Sequence, residues 1–205
     1  MSIEIKISNK LIPYNKAINL MEKRVADIKK GKKNDLIWIL EHPTVFTAGI
    51  RSNKNEILDK KIRVIRTNRG GKITLHSPGQ KIIYFVFNLN NKKKDIKNFF
   101  NKIEDSIIEF LKIYKIQSKS DRKNIGIWVN NKKIAAIGIK IKNWIAYHGF
   151  SININNDLKK YDAIIPCGIK DKGITNLKKI KNQNYDELKN KLIEIFKTNL
   201  KNLIF

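Results

Sequence analysis

Cys167 is the only cysteine of the chain and lies between Pro166 and Gly168 in the stretch IIPCGI. Flanking proline and glycine favour a turn over the interior of a helix or strand, and a cysteine on a turn is accessible. A free thiol has a pKa of about 8.5, so a nucleophilic cysteine needs a neighbouring cation, base or helix N-terminus. The alternative is an inert, buried thiol, since cysteine also packs as a small apolar residue. Cys167 is therefore a candidate nucleophile.

Several residues are able to activate this thiol. The chain contains three histidines, His42, His76 and His148, and many lysines, and the pattern of residues does not select among them. A single cysteine forms no internal disulfide, so the fold does not depend on an oxidising compartment. Neither CxxC nor HExxH occurs, and we expect no metal site and no cofactor.

A glycine-containing segment, RGGKITLHSPGQ at residues 69–80, is the second candidate for a site. The adjacent Gly70 and Gly71 allow a carbonyl or phosphate group of a ligand to approach the backbone closely. An ordinary tight hairpin has the same pattern of two glycines, a strand and a Pro-Gly turn. The spacing matches neither a P-loop nor a dinucleotide fingerprint, so the segment does not predict nucleotide binding.

Small residues also mark a predicted strand that begins at Lys133. Ala135, Ala136 and Gly138 on a sheet face leave space for a ligand, although close packing against a helix favours small residues equally. The segment HGFSIN at residues 148–153 continues the same predicted sheet.

The apolar periodicity predicts an α+β fold. We predict strands at residues 3–7, 36–40, 64–66, 72–76, 82–89, 125–129, 133–141 and 144–154. We predict helices from Pro13 to Gly31, over residues 95–116, and after a capping box formed by Asn184 and Glu187. Hairpin-like spacing favours a mixed, mostly antiparallel sheet flanked by helices, in one domain spanning residues 1–205, over a doubly wound parallel sheet.

The charge balance is strongly basic: 43 lysines and arginines against 18 acidic residues give +25. Such a charge indicates an acidic partner, or a coding bias that enriches lysine, asparagine and isoleucine together. A nucleic-acid site would need basic and aromatic residues on one face, but Trp38 and Trp128 lie in apolar strands and are expected in the core. We expect no nucleic-acid partner.

No segment predicts membrane insertion. The longest strongly apolar run, residues 82–87, is far shorter than the ~20 residues that cross a bilayer. The N-terminal residues lack the apolar region of a signal peptide. We therefore expect a cytoplasmic protein without membrane association.

Taken in order, these segments resemble the lipoyl(octanoyl) transferase family, which shares its fold with lipoate–protein and biotin–protein ligases. The matching stretches are RGGKITLHSPGQ, KIAAIG, HGFSINI and IIPCGI followed by GITNL. Glu41–Pro43 with Thr47–Gly49, and Gly126–Trp128, also match, and the resemblance runs from about residue 36 to 177.

The resemblance implies a reaction and its partners. Octanoyl-acyl carrier protein would donate the acyl group to Cys167 as a thioester. A lysine of a lipoyl domain, in a 2-oxoacid dehydrogenase E2 subunit or the glycine-cleavage H protein, would then accept it. The resemblance also implies that Lys133 is the catalytic partner of Cys167. We expect a monomer whose basic charge steers it toward these typically acidic proteins.

The resemblance further implies which residues contact the acyl substrate: Arg69, Gly70, Gly71, Lys72, Ile73, Thr74, Leu75, His76, Ala136, Ile137, Gly138, Gly149, Phe150 and Ser151. An ATP-dependent lipoate–protein ligase is the alternative within the fold, and it would not need Cys167. A thioesterase-like hydrolase that uses Cys167 is another alternative.

Overall fold

The computed structural model of the chain describes residues 3–90, 95–169 and 172–204, with side chains up to residue 199. The strands are β1 (Glu4–Ile7), β2 (Leu36–Leu40), β3 (Val45–Ala48), β4 (Val64–Arg66), β5 (Ile73–His76), β6 (Gln80–Asn88), β7 (Lys119–Ser120), β8 (Ile127–Val129), β9 (Lys132–Lys142), β10 (Ile145–Asn153) and β11 (Gly173–Ile174). The α-helices are α1 (Tyr14–Lys29), α2 (Ile96–Ile113), α3 (Leu177–Ile180) and α4 (Leu188–Ile204). Short 3-10 turns lie at Lys54–Glu56, Leu158–Ala163 and Pro166–Gly168.

A large mixed sheet forms the centre of the molecule. Its strand order is β1-β2-β6-β10-β9-β8-β7, and β11 pairs with β9 beside this path. The β1–β2 and β9–β11 pairs are parallel, whereas the other pairs are antiparallel. The predicted α+β fold, with a mixed and mostly antiparallel sheet flanked by helices, is confirmed.

A second, three-stranded sheet with the order β4-β3-β5 was not predicted. Strand β5 pairs with β3, while β6 joins the large sheet. The chain changes sheets at the turn where the Gln80 amide donates to the Ser77 carbonyl at 3.1 Å. The hairpin interpretation of residues 69–80 is therefore wrong, because the two strands of this segment pair with different neighbours.

Both faces of the large sheet are covered by helices. Ile37 and Ile39 of β2 pack in the core formed with α2 and α4. Leu36, Trp38 and Leu40, on the opposite face, pack in the core formed with α1. Burial on both faces explains why β2 is a continuous apolar run instead of an alternating one.

The predicted starts of two of the three helices agree with the structure. Helix α1 begins directly after Pro13, and the Asp95 side chain accepts from the Asn98 amide at 2.9 Å to cap α2. The capping box predicted at Asn184 and Glu187 is wrong. The Oδ1 of Asn184 accepts from the Asp186 amide at 2.7 Å, and α4 begins only at Leu188. Asparagine forms such local turns as readily as caps. Among the described residues, no helix has the length and apolar character to cross a membrane.

The core between the large sheet and its helices predicts a stability difference within α2. Phe110 is 0 % exposed in that core, whereas Ile113, one turn later, is 44 % exposed. We expect Phe110→Ala to lower the free energy of unfolding by about 3–5 kcal/mol through lost burial and a cavity. Ile113→Ala should change it by less than about 0.5 kcal/mol. Urea denaturation followed by circular dichroism measures both, and equal losses would contradict this packing.

Candidate active site

Cys167 lies on the predicted turn, within the 3-10 turn Pro166–Gly168, and its side chain is partly exposed. Its φ of 57° is left-handed, a conformation that costs a non-glycine residue about 1–2 kcal/mol. The chain before the turn is held by the Ile165 amide, which donates to the Glu56 carbonyl at 2.7 Å, and by a bridge between Ile57 and Ile164. The turn is thus anchored upstream to residues distant in sequence.

Lys133 lies beside the chain that leaves this turn. Strand β11 runs parallel to the start of β9, with Ile174 opposite Lys133, and the Thr175 amide donates to the Lys133 carbonyl at 2.9 Å. The side chains of Lys133 and Cys167 line the same cavity of about 190 Å³ and also border one small void of about 10 Å³. The two predicted catalytic side chains therefore lie on the same side of the sheet.

The environment of Lys133 differs from that of its neighbour. Lys133 is only 3 % exposed, whereas Lys132 is exposed. Its Nζ donates to the Ile125 carbonyl at 2.9 Å and lies 4.9 Å from the centroid of the Trp128 ring. Among the described residues, no carboxylate forms an ion pair with Lys133.

The segment that follows Arg69 contributes only part of its predicted residues to the cavity. Five of the eight line it: Arg69, Gly71, Lys72, Thr74 and His76. Ile73 and Leu75 instead form a small apolar cluster under the three-stranded sheet, because successive side chains of β5 point to opposite faces. Gly70 packs on β9, where a Cβ would lie 2.7 Å from the Ile139 carbonyl oxygen. These three predicted substrate contacts are not cavity-lining residues.

The two central strands supply the floor of the cavity. All six residues predicted there line it: Ala136, Ile137, Gly138, Gly149, Phe150 and Ser151. Ala135, which was grouped with Ala136 and Gly138 by size, packs in the core on the opposite face of β9. Ile82 and Ile169 add further apolar surface to the walls. The cavity can therefore take an aliphatic chain beside the Cys167 thiol.

Arg69 is a second buried cation in this wall. Its Nη2 donates to the Thr47 carbonyl at 2.7 Å and to Thr47 Oγ1 at 2.9 Å, and its Nη1 donates to the Gly70 carbonyl at 2.9 Å. Burial lowers the pKa of the guanidinium, although its ordinary value is so high that it stays charged. These bonds hold the residue 69–71 loop against β3.

A cluster of buried aromatic and imidazole rings, which no sequence pattern predicted, lies beside Arg69. The His42 Nδ1–H donates to the Ile12 carbonyl at 2.6 Å, and its Nε2 accepts from the Tyr84 hydroxyl at 2.8 Å. The His76 Nδ1–H donates to Gln80 Oε1 at 2.8 Å, and the His148 Nε2–H donates to Asn68 Oδ1 at 2.8 Å. These partners identify the nitrogen of each ring that carries a proton. The Glu41-His42-Pro43 match was the available signal for His42.

Basic side chains surround the opening of the cavity. Arg51, Arg122 and Lys123 line it and are exposed. Lys72 also lines it and pairs with Glu56 at 2.9 Å. Part of the excess positive charge therefore lies at the cavity that holds Cys167.

The buried histidines predict an acid-sensitive fold. Burial lowers the pKa of His42 to about 4 and the pKa values of His76 and His148 to about 3. In the unfolded chain their pKa is about 6.5, so stability is complete above that pH and falls as the unfolded chain binds protons below it. At pH 5 each histidine removes up to about 2 kcal/mol. Urea denaturation at pH 7.5 and pH 5 should show this loss, and His148→Asn should reduce it by about one third. An unfolding free energy of the wild type that is the same at both pH values would contradict the burial of neutral histidines.

Comparison with known proteins agrees with this geometry. Residues 13–197 match the family described as "Lipoyl protein ligase A/B catalytic domain". An octanoyltransferase of Ehrlichia chaffeensis is 43 % identical over 205 residues, covering 95 % of this chain and 96 % of that protein. An octanoyltransferase of Wolbachia sp. subsp. Brugia malayi is 42 % identical over 183 residues, covering 87 % of this chain and 89 % of that protein.

Solved structures of low sequence identity share the fold. A lipoate-protein ligase A bound with ATP has a TM-score of 0.74 at 17 % identity, covering 97 % of this chain and 86 % of that chain. A bi-partite lipoate protein ligase from Thermoplasma acidophilum has a TM-score of 0.73 at 17 % identity, covering 98 % of this chain and 85 % of that chain. These structures show the fold alone, whereas the sequence matches show that the chain belongs to the lipoyl protein ligase A/B catalytic-domain family and that it is an acyltransferase of the octanoyltransferase type.

Proposed function

We propose that the chain transfers an octanoyl group from octanoyl-acyl carrier protein to a lysine of a lipoyl domain through a thioester on Cys167. The acceptors would be E2 subunits of 2-oxoacid dehydrogenases and the glycine-cleavage H protein. The observation that carries the proposal is the shared cavity of Cys167 and Lys133, in a chain 42–43 % identical to octanoyltransferases over most of its length.

The first half-reaction is an exchange of one thioester for another. The Cys167 sulfur attacks the donor's carbonyl carbon, the bond to the carrier thiol breaks, and that thiolate takes up a proton. Because both bonds are thioesters, the acyl group is stored on the enzyme at nearly constant free energy. Covalent storage also allows two protein partners to dock in turn at one opening.

The second half-reaction forms an amide. The neutral amine of the acceptor lysine attacks the enzyme thioester, its proton passes to a neutral Lys133, and the Cys167 thiolate leaves beside the Lys133 ammonium that results. An amide is more stable than a thioester, so this step is downhill and needs no ATP.

Lys133 serves both half-reactions in this proposal. A positive ammonium beside Cys167 favours the thiolate, which is the nucleophile in the first step and the leaving group in the second. One of its N–H donors bonds the Ile125 carbonyl, and the remaining donors are available to the reacting atoms. Lys133 gives its proton to the carrier thiolate in the first step, and its neutral amine then accepts the proton of the incoming amine in the second.

The acyl chain would extend from Cys167 along the floor formed by β9 and β10. Ala136 and Gly138 supply space, while Ile82 and Ile169 supply apolar contact. Backbone N–H groups near the thiol would stabilise the oxyanion of the tetrahedral intermediate. The basic opening with Arg51, Arg122 and Lys123 favours acidic protein partners for both steps.

An ATP-dependent ligase is the second candidate, because a solved lipoate-protein ligase A bound with ATP has the same fold. Such an enzyme activates the acid as an adenylate and does not need a cysteine nucleophile. ATP dependence therefore separates the two candidates, and a hydrolase that uses Cys167 would release free octanoate instead of forming an amide.

Intact-mass spectrometry tests the covalent intermediate. Incubation with octanoyl-acyl carrier protein, without ATP, should add one octanoyl group to the wild type, and hydroxylamine should remove it. Cys167→Ala should gain no mass, because the attacking sulfur is absent. Addition of an apo lipoyl domain should move the octanoyl group from the enzyme to that domain. Acylation of Cys167→Ala, an ATP requirement, or release of octanoate without amide product would refute the proposal.

Neighbouring lysines provide a matched test of the cation. Lys133→Met should slow Cys167 acylation by about 100-fold or more, as expected when a group that acts in proton transfer is removed. Lys132→Met removes the same charge one residue earlier, from an exposed side chain, and should leave the rate within about twofold of the wild type. Single-turnover acylation measured by quenched-flow mass spectrometry separates these results. Equal effects of the two variants would show that Lys133 acts only through general charge.

A further inference from the structure

Lys133 is a buried cation whose described partners are neutral. Its Nζ donates to the Ile125 carbonyl at 2.9 Å and lies 4.9 Å from the Trp128 ring centroid. Burying a charge is costly unless polar groups compensate for the lost water. The Ile125 carbonyl and the aromatic face are the described compensating contacts, so the residues that provide them decide where the ammonium sits.

Trp128 contributes to both contacts. It lies directly opposite Lys133 in the β8–β9 pair, where opposed side chains are close neighbours. Its indole N–H also donates to the Asn124 carbonyl at 2.9 Å. Asn124 precedes Ile125, so this bond holds the segment whose next carbonyl accepts from Lys133. One side chain therefore contacts the cation and orients its hydrogen-bond acceptor.

The backbone leaves a close-fitting path for the lysine between these groups. Gly126 has a φ of 138°, and a Cβ there would lie 3.1 Å from Lys133 Cε and 2.6 Å from the Ala135 carbonyl oxygen. A residue larger than glycine at position 126 would have to displace these atoms. The Lys133 side chain is therefore closely confined beside Gly126. Its terminal ammonium is then located by the Ile125 carbonyl and the Trp128 ring.

The same indole contacts the segment that follows the nucleophile. Lys172 Nζ lies 4.8 Å from the Trp128 ring centroid and pairs with Asp121 at 3.0 Å. Trp128 is itself buried, with 3 % exposure. The ring thus contacts one lysine of β9 and one that directly precedes β11.

We propose that Trp128 is the positioning residue that holds the Lys133 ammonium toward Cys167 without neutralising its charge. A carboxylate would also hold the lysine, but it would cancel the positive potential at the sulfur and compete for the proton. An aromatic face attracts a cation through its quadrupole and accepts no proton. This inference rests on the proposed role of Lys133 in acyl transfer.

A double-mutant cycle tests whether Trp128 acts through Lys133. Trp128→Leu, which loses the aromatic face and the N–H, should slow Cys167 acylation by octanoyl-acyl carrier protein by about 10- to 30-fold. Trp128→Phe keeps an aromatic face and should lose only about 3-fold. In the Lys133→Met background, either Trp128 change should produce less than about a twofold further loss, because the group that it positions is absent.

Trp38 is the matched control for the removal of a buried tryptophan. It is 2 % exposed, its indole N–H donates to Ser8 Oγ at 2.9 Å, and Lys6 Nζ lies 4.5 Å from its ring centroid. Trp38→Leu should lower the unfolding midpoint, yet acylation per folded molecule should stay within about twofold of the wild type. Circular dichroism measures the folded fraction of each variant.

A second readout needs no acyl donor. The rate at which iodoacetamide alkylates Cys167 should fall in Trp128→Leu and in Lys133→Met, without further loss in the double variant. If Trp128→Leu does not fold, the cycle with Trp128→Phe gives the answer. Failure of the wild type to become acylated refutes the proposed function. Multiplicative losses in the cycle, or acylation by Trp128→Leu at the wild-type rate, refute the positioning role alone.

Discussion

The parallel pairing of β11 with the first residues of β9 is the contact on which the candidate site depends. It places Ile174 opposite Lys133 and makes the chain that leaves the Cys167 turn run along the lysine's strand. The Ile165–Glu56 backbone bond holds the other end of the turn. Two anchors distant in sequence therefore hold a left-handed cysteine next to a buried lysine, and local turn propensity alone would not define that arrangement.

Two buried cations, Arg69 and Lys133, for which the described part of the chain offers no carboxylate partner, are the second organising feature of the cavity. Arg69 is held by carbonyl and hydroxyl oxygens, and Lys133 by a carbonyl and an indole ring. The adjacent histidines are kept neutral by burial, so they add no competing charge near neutral pH. Because no neighbouring negative charge cancels the positive potential of Arg69 and Lys133 among the described residues, the site suits a reaction with anionic intermediates, such as a thiolate and a tetrahedral oxyanion.

The fold itself does not distinguish a transferase from a ligase. A lipoate-protein ligase A bound with ATP superimposes with a TM-score of 0.74 at only 17 % identity, which establishes common architecture and nothing about chemistry. The distinction lies in particular residues. In the proposed reaction, Cys167 on the turn after β10 would store the acyl group covalently, whereas an ATP-dependent ligase would not need this cysteine. The 42–43 % identity to octanoyltransferases over most of the chain favours the transferase.

Local patterns were enough to predict most of the elements and the chemical types at the site. Continuous or alternating apolar runs predicted β2, β6 and β10, and Pro166 with Gly168 predicted the turn that carries Cys167. The motifs, through their resemblance to a family, selected Lys133 from many lysines. Tertiary structure alone decided that Ala135 packs in the core while Ala136 lines the cavity, that β5 pairs with β3 instead of β6, and that Trp128 and Ile125 hold the lysine. These outcomes depend on pairing between residues far apart in the chain. The periodicity of a sequence shows how apolar and polar residues alternate within one segment, but it does not show which other segment lies beside it.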